Sequence, residues 1–169
     1  MSIGIDYELD KLATRLNSKL WSDFTAYGRA YVNLRDGLRI PEVNKGSSKE
    51  YTDKLLNDTI AGLSFFVVEN PYSAMGDSRT FDALCSLYFA VNTDKIYSSV
   101  VERQTEYIVR DIVNALVRTN FNYSEETDAV AVGQDAFSDF DLVKDGDDMR
   151  PFLLLRFRGR VKFQYNNCI

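Results

Sequence analysis

Near the start of the chain, apolar residues recur at helical spacing. Leu9, Leu12, Ala13, Leu16 and Leu20 fall on one stripe. This predicts an amphipathic helix from residue 6 to about 24, with Asp6 as N-cap and Lys11, Arg15 and Lys19 turned to water. The pattern then changes. Aromatic and β-branched residues over 27–34 favour a strand. Asp36-Gly37 is a tight-turn signal, and residues 38–43 return as the partner strand. Pro41 confines that partner to an edge or an end of the sheet, because proline has no amide to give to a ladder. Residues 44–60 read as a polar connection with a Gly-Ser-Ser tip, and residues 51–56 could make one short helical turn.

The run Leu63-Ser64-Phe65-Phe66-Val67-Val68 reads as a buried strand stopped by Asn70-Pro71. After a loop at 72–79, residues 80–92 predict a long strand with Phe81, Ala83, Cys85, Leu87, Phe89 and Val91 on one face. Ser99 to Glu102 has the spacing of a capping box, which opens a second helix over 99–119. Its apolar stripe is Val101, Thr105, Ile108, Val109, Ile112, Leu116 and Val117, with Asn120 as the stop. Residues 122–149 carry nine acidic side chains and a single base, Lys144. A segment this long between elements is usually functional or orders on binding. Within it, residues 129–132 could add a short strand. The last strand, 152–165, alternates strictly. Leu153, Leu155, Phe157, Val161, Phe163 and Tyr165 point one way, and Arg156, Arg158, Arg160 and Lys162 the other.

Strands therefore cluster instead of alternating with helices. The expected fold is α+β: a mostly antiparallel twisted sheet of four to six strands, with two main helices packed on one side. The chain has 169 residues. That length fits a single domain, 1–169, with a long acidic loop or arm at about 122–149.

Composition narrows the chemistry. The chain has no histidine, which removes the commonest general base and the usual metal ligand. Its net charge is −5, against the basic excess of a general nucleic-acid binder. Cys85 and Cys168 show no disulfide framework and suit a reducing compartment. No signal-peptide pattern opens the chain, and no stretch approaches the ~20 apolar residues of a membrane helix. The matches to the glycosylation pattern at Asn57 and Asn122 read as chance. Asp139, Asp141, Asp145, Asp147 and Asp148 invite a calcium-loop reading. The spacing fails, because the third acid comes too late and Phe152 stands where the closing glutamate belongs. A solvated acidic loop is the plainer account. There is no phosphate-cradling glycine loop, and no serine or cysteine has a histidine partner. The expectation is a protein with no catalytic centre and no cofactor.

The basic ladder Arg156, Arg158, Arg160 and Lys162 spans roughly 20 Å, at about 3.3 Å per residue. It reads either as the solvent face of a sheet, whose cations deter edge-to-edge aggregation, or as a site needing counter-charge. The acidic segment, with Asp139, Asp141, Asp145, Asp147 and Asp148, could supply that charge within the chain or from a neighbour, setting register. Nucleic-acid phosphate is another counter-charge. Ten tyrosines and eleven phenylalanines also fit protein interfaces, where aromatics are enriched.

Three stretches together carry a resemblance: residues 31–43 ending in Arg39-Ile40-Pro41-Glu42-Val43, the run 63–68, and Met149-Arg150-Pro151-Phe152 leading into the alternating last strand. With the 99–119 helix before that strand, the layout resembles the neck and tail-completion (tail-terminator-like) proteins of tailed bacteriophages. The likeness is to those from phages and prophages of gut Bacteroides-type bacteria. The resemblance implies a non-enzymatic virion protein, made in the host bacterial cytoplasm, that forms six- or twelve-fold rings. It also implies neighbouring portal, neck or tail proteins as partners, DNA passing through the channel without specific binding, and no membrane. On that model the acidic segment would be an arm or a lumen-facing loop whose charge keeps DNA from sticking. The 44–60 connection and the 122–149 segment are longer than a simple tail terminator needs. Two other readings remain: a nucleic-acid- or phosphate-binding module using the basic strand, and a host-side adaptor.

Overall fold

The computed structural model describes residues 4–45, 48–51, 59–69, 73–74, 79–99, 103–124, 126–141 and 150–164. The chain is α+β, with one large, mostly antiparallel sheet. In chain order the elements are α1 (Ile5–Lys19), β1 (Phe24–Arg35), β2 (Leu38–Lys45), β3 (Ser48–Tyr51), β4 (Gly62–Val68), β5 (Ser73–Ala74) and β6 (Thr80–Asn92). They continue with α2 (Thr93–Ile96), α3 (Gln104–Leu116), β7 (Phe121–Asn122), β8 (Val130–Val132), a 3₁₀ turn (Gln134–Phe137) and β9 (Phe152–Gln164). The sheet runs β3-β2-β1-β4-β6-β9-β7, with β5 added beside β6 and β8 beside β9. It is larger than the four to six strands expected, and it is mixed, because β1 and β4 pair parallel.

The two long helices share one face, as their apolar stripes require. Leu9, Leu12 and Leu16 of α1 and Ile108, Ile112 and Leu116 of α3 meet Cys85, Leu87, Phe89 and Val91 of β6 and Leu155, Phe157 and Val161 of β9. Arg15 was expected in water. Instead it is half-buried and reaches α3, donating from Nε to the Ala115 carbonyl (2.7 Å) and from Nη2 to that of Val117 (2.9 Å). A cation on carbonyls left open at a helix C-terminus satisfies both bonding and dipole.

Several boundaries differ from the sequence reading. The first helix starts at Ile5 and ends at Lys19. Gly4, with φ 104°, holds the N-cap position in place of Asp6. Ile5 is buried, so the core draws the helix start one residue earlier. The second helix begins only at Gln104, after Arg103 in the left-handed region, and Thr105 and Val117 lie exposed. The intended cap stretch includes residues 100–102, which lie outside the described residues, as does Val101 of the expected stripe. The polar connection carries a strand, β3, which includes Tyr51 of the expected helical turn; residues 52–56 lie outside the described residues. Ser73–Ala74, read as loop, pairs with β6. Tyr165 lies outside the described residues.

A register shift in β1 between Ala26 and Arg29 changes which face its side chains meet. Phe24 and Ala26 face the helices, whereas Tyr27 and Ala30 join the opposite face. Asn17 of α1 clamps the start of the shift, with Nδ2 donating to the Ala26 carbonyl (2.9 Å) and Oδ1 accepting from its amide (2.7 Å).

The opposite face is also a core, which the alternation of β6 and β9 did not announce. Ala30, Val43, Leu63, Phe65, Tyr88, Ala90 and Leu154 are covered there by Ala136, Phe137 and Phe140. The cover is the middle of the acidic segment. Residues 133–141 form a strap that crosses the face obliquely. The strap starts where the Gly133 amide meets the Leu154 carbonyl of β9 (2.8 Å) and finishes where the Asp141 amide meets the Arg39 carbonyl of β2 (3.0 Å). Phe137 and Phe140 pack edge-on against Phe65 and Tyr88. Residues 142–149, with Asp145, Asp147 and Asp148, lie outside the described residues.

Candidate protein-interaction site

Antiparallel pairing along the whole of β6 and β9 holds the basic ladder straight, on the strap side of the sheet. Three of its four cations meet carboxylates of the same chain. Arg156 Nη1 lies 3.8 Å from Asp139 Oδ2, and Arg158 Nε donates to Glu69 Oε2 at 2.8 Å. Arg160 sits between Asp82 Oδ2 (3.3 Å) and Glu126 Oε1 (3.0 Å). Lys162 is exposed. The acidic segment thus supplies Asp139 and Glu126, while β4's C-terminal neighbour Glu69 and β6's Asp82 supply the rest. Intermingled strand carboxylates offset the repulsion that four aligned cations would otherwise feel.

Asp141 serves a different arginine. Its carboxylate accepts from the Arg39 amide (2.8 Å), from Nε (3.1 Å) and from Nη2 (3.0 Å). These hydrogen bonds hold the Asp141 carboxyl down at about 2. Asp139 also accepts from the Tyr88 hydroxyl at 2.7 Å. Burial pushes that phenol up, and the bond to Asp139 adds to the effect. Asp139 and Asp141 are therefore fasteners of the strap.

Beside the strap lies an open cleft of about 620 Å³. Val32 and Val67 contribute apolar wall; Arg39, Arg156 and Arg158 oppose Glu69, Asp128 and Asp139. Arg156 Nε is buried there without a hydrogen-bond partner. Opposite charges in equal number make the cleft a poor trap for a polyanion. A second polar cluster ties the helix side together: Asp111 accepts from Trp21 Nε1 (3.2 Å), Arg110 and the Tyr97 hydroxyl. Burial pushes the Asp111 carboxyl up, but these bonds outweigh it and hold it below the usual range. Among the described residues, no group of three or more Cys, Asp or Glu side chains is arranged to hold a metal ion, and no helix is long and apolar enough to cross a membrane.

Among the described residues, the largest apolar exposure is on the β1–β2 hairpin. Pairing of β1 with β4 ends at Ala30, and pairing of β2 with β3 begins at Glu42. Residues 31–41 therefore project as a two-stranded ribbon. Asp36 and Gly37 make its turn with φ 50° and 81°, the positive pair that a two-residue hairpin favours. Pro41 sits just before the β3-paired stretch, where no second neighbour asks for its amide. Four large apolar side chains on the ribbon are exposed: Tyr31, Val32, Leu34 (74%) and Leu38. Val32 and Leu34 point to the strap side, Tyr31 and Leu38 to the helix side, following the register Val32↔Pro41 and Arg35↔Leu38. Alternation hid this patch, because a strand exposed on both faces reads the same as one buried on both. Comparison of the chain with protein-family models, curated proteins and solved structures returned no match.

Proposed function

We propose that this chain is a structural virion protein, a ring-forming subunit of a tailed-phage head-to-tail connector or tail end. It assembles by protein–protein contacts around the DNA channel, with itself and with portal, neck or tail proteins. The observation that carries the reading is the projecting ribbon 31–41, whose four large apolar side chains are exposed among the described residues. Exposed apolar side chains gathered on one projection mark a protein-interaction surface. The layout of helices and strands that resembles neck and tail-completion proteins supplies the kind of assembly.

The alternative, a nucleic-acid- or phosphate-binding module on the basic strand, is less well supported. Arg156, Arg158 and Arg160 already have carboxylate partners, so a phosphate would have to displace them. Peptide mass analysis of purified particles, with antibody labelling in the electron microscope, tests the proposal. The chain should be present in a constant copy number per particle, with the label at the neck or tail end. Particles that lack it would refute the virion role.

A further inference from the structure

The ribbon has a counterpart on the same chain that it cannot reach. β8 lies along β9 with the register Val130↔Phe157, Ala131↔Arg156 and Val132↔Leu155. The Arg158 amide bonds the Ala129 carbonyl, and the Gly133 amide bonds the Leu154 carbonyl. Alternation of an antiparallel ladder then turns the amides and carbonyls of Val130 and Val132 away from β9. Their side chains are 42% and 47% exposed. Among the described residues no strand pairs with that outer edge. An uncovered edge with apolar side chains invites another chain. β4, β6 and β9 separate β1 from β8 in the sheet. The two features are thus four strand spacings apart, about 19 Å.

We infer that the apolar ribbon of one copy docks on the β8 edge of a second copy, each chain giving its ribbon to one neighbour and its β8 edge to the other. This rests on the ring reading and names the contact within it. Charge favours the unlike pairing. On the ribbon Arg35 and Asp36 lie at the turn and Arg39 is taken up by Asp141, whereas the charged residues between 126 and 135 are all acidic: Glu126, which pairs with Arg160, and Asp128 and Asp135. Asp128 and Asp135 are exposed beside β8. Ribbon against ribbon would oppose Arg35 to Arg35, and β8 against β8 would oppose acid to acid. Two unlike surfaces on one subunit form a head-to-tail contact, which closes into a ring when the rotation between neighbours allows.

The test is sedimentation of the full-length wild type, of Leu34→Asp, of Val132→Lys and of the two variants mixed. Leu34 and Val132 are both on the surface in the free chain, so each variant should keep the wild-type circular dichroism and melting profile. The wild type should form the ring. Each variant alone should lose self-association at least about tenfold, the effect of one unfavourable buried charge at a contact centre. The mixture should associate more strongly than either variant alone, because the intact β8 edge of Leu34→Asp meets the intact ribbon of Val132→Lys, and the other contact sets the introduced carboxylate against the introduced ammonium; a mixture no more associated than either variant alone would overturn the contact. Rings from either variant at wild-type strength, with the chain nevertheless present in particles, would overturn this contact and leave the ring reading standing. A wild type that never self-associates would overturn the contact too. Whether the ring reading falls with it is decided separately, by the particle analysis.

Discussion

Individual side chains already separate stability from association. Ser64 is fully buried under the helices, and its hydroxyl has no hydrogen-bond partner. Ser64→Ala should therefore raise stability by about 1 kcal/mol in urea titration, since the unmet desolvation cost disappears. Phe65 is the opposite case. It is fully buried and stacked on Tyr88 with ring centres 5.3 Å apart, so Phe65→Ala should cost about 3–5 kcal/mol. The ladder shows the same contrast. Asp82 has one carboxylate oxygen buried without a partner and depends on Arg160 for the other. Arg160→Ala should destabilise by about 1–3 kcal/mol, whereas Lys162→Ala should stay within about 0.5 kcal/mol. Equal losses at the two positions in the same titration would show that the ladder is solvated throughout.

Among the elements, the strap is the one whose hold depends on pH. Asp141 has its carboxyl lowered to about 2 by Arg39, below the usual unfolded value near 3.9. A depressed carboxylate contributes stability fully above the unfolded value, and the contribution fades as pH falls through the folded one. Wild type should thus outlast Asp141→Asn in urea at neutral pH. The gap should narrow below about pH 4 and close near about pH 2. A gap that does not change with pH would mean the Arg39 contact holds nothing. The strap also marks where the sequence stops being legible. Strands β6 and β9 and the Asp36-Gly37 turn follow from alternation and from turn chemistry, both local signals. That Ala136, Phe137 and Phe140 would leave an acidic segment to roof a second core depends on contacts with Phe65 and Tyr88, about seventy and fifty residues away in sequence, which no local period encodes. Acid-rich composition pointed to an arm; three apolar residues among the acids decided otherwise for the described part. The partners of the ladder were half legible. Opposite charge suggested the acidic segment, but Glu69 and Asp82 come from strands that only the sheet order brings near.

For the molecule as a whole, the described surface divides into a charged face whose cations are largely satisfied internally and an apolar ribbon that is not. Self-satisfied ion pairs contribute little to recruiting partners, so the proposed docking uses the ribbon and the β8 edge. The central claim, the proposal that this chain joins copies of itself into a ring, is tested most directly by its mass in solution, measured by light scattering alone and together with phage portal and neck proteins. The account predicts a six- or twelve-fold mass in at least one of those mixtures, and its loss with Leu34→Asp. A chain that stays single in every mixture and instead binds duplex DNA, with affinity falling steeply as salt rises, would contradict it.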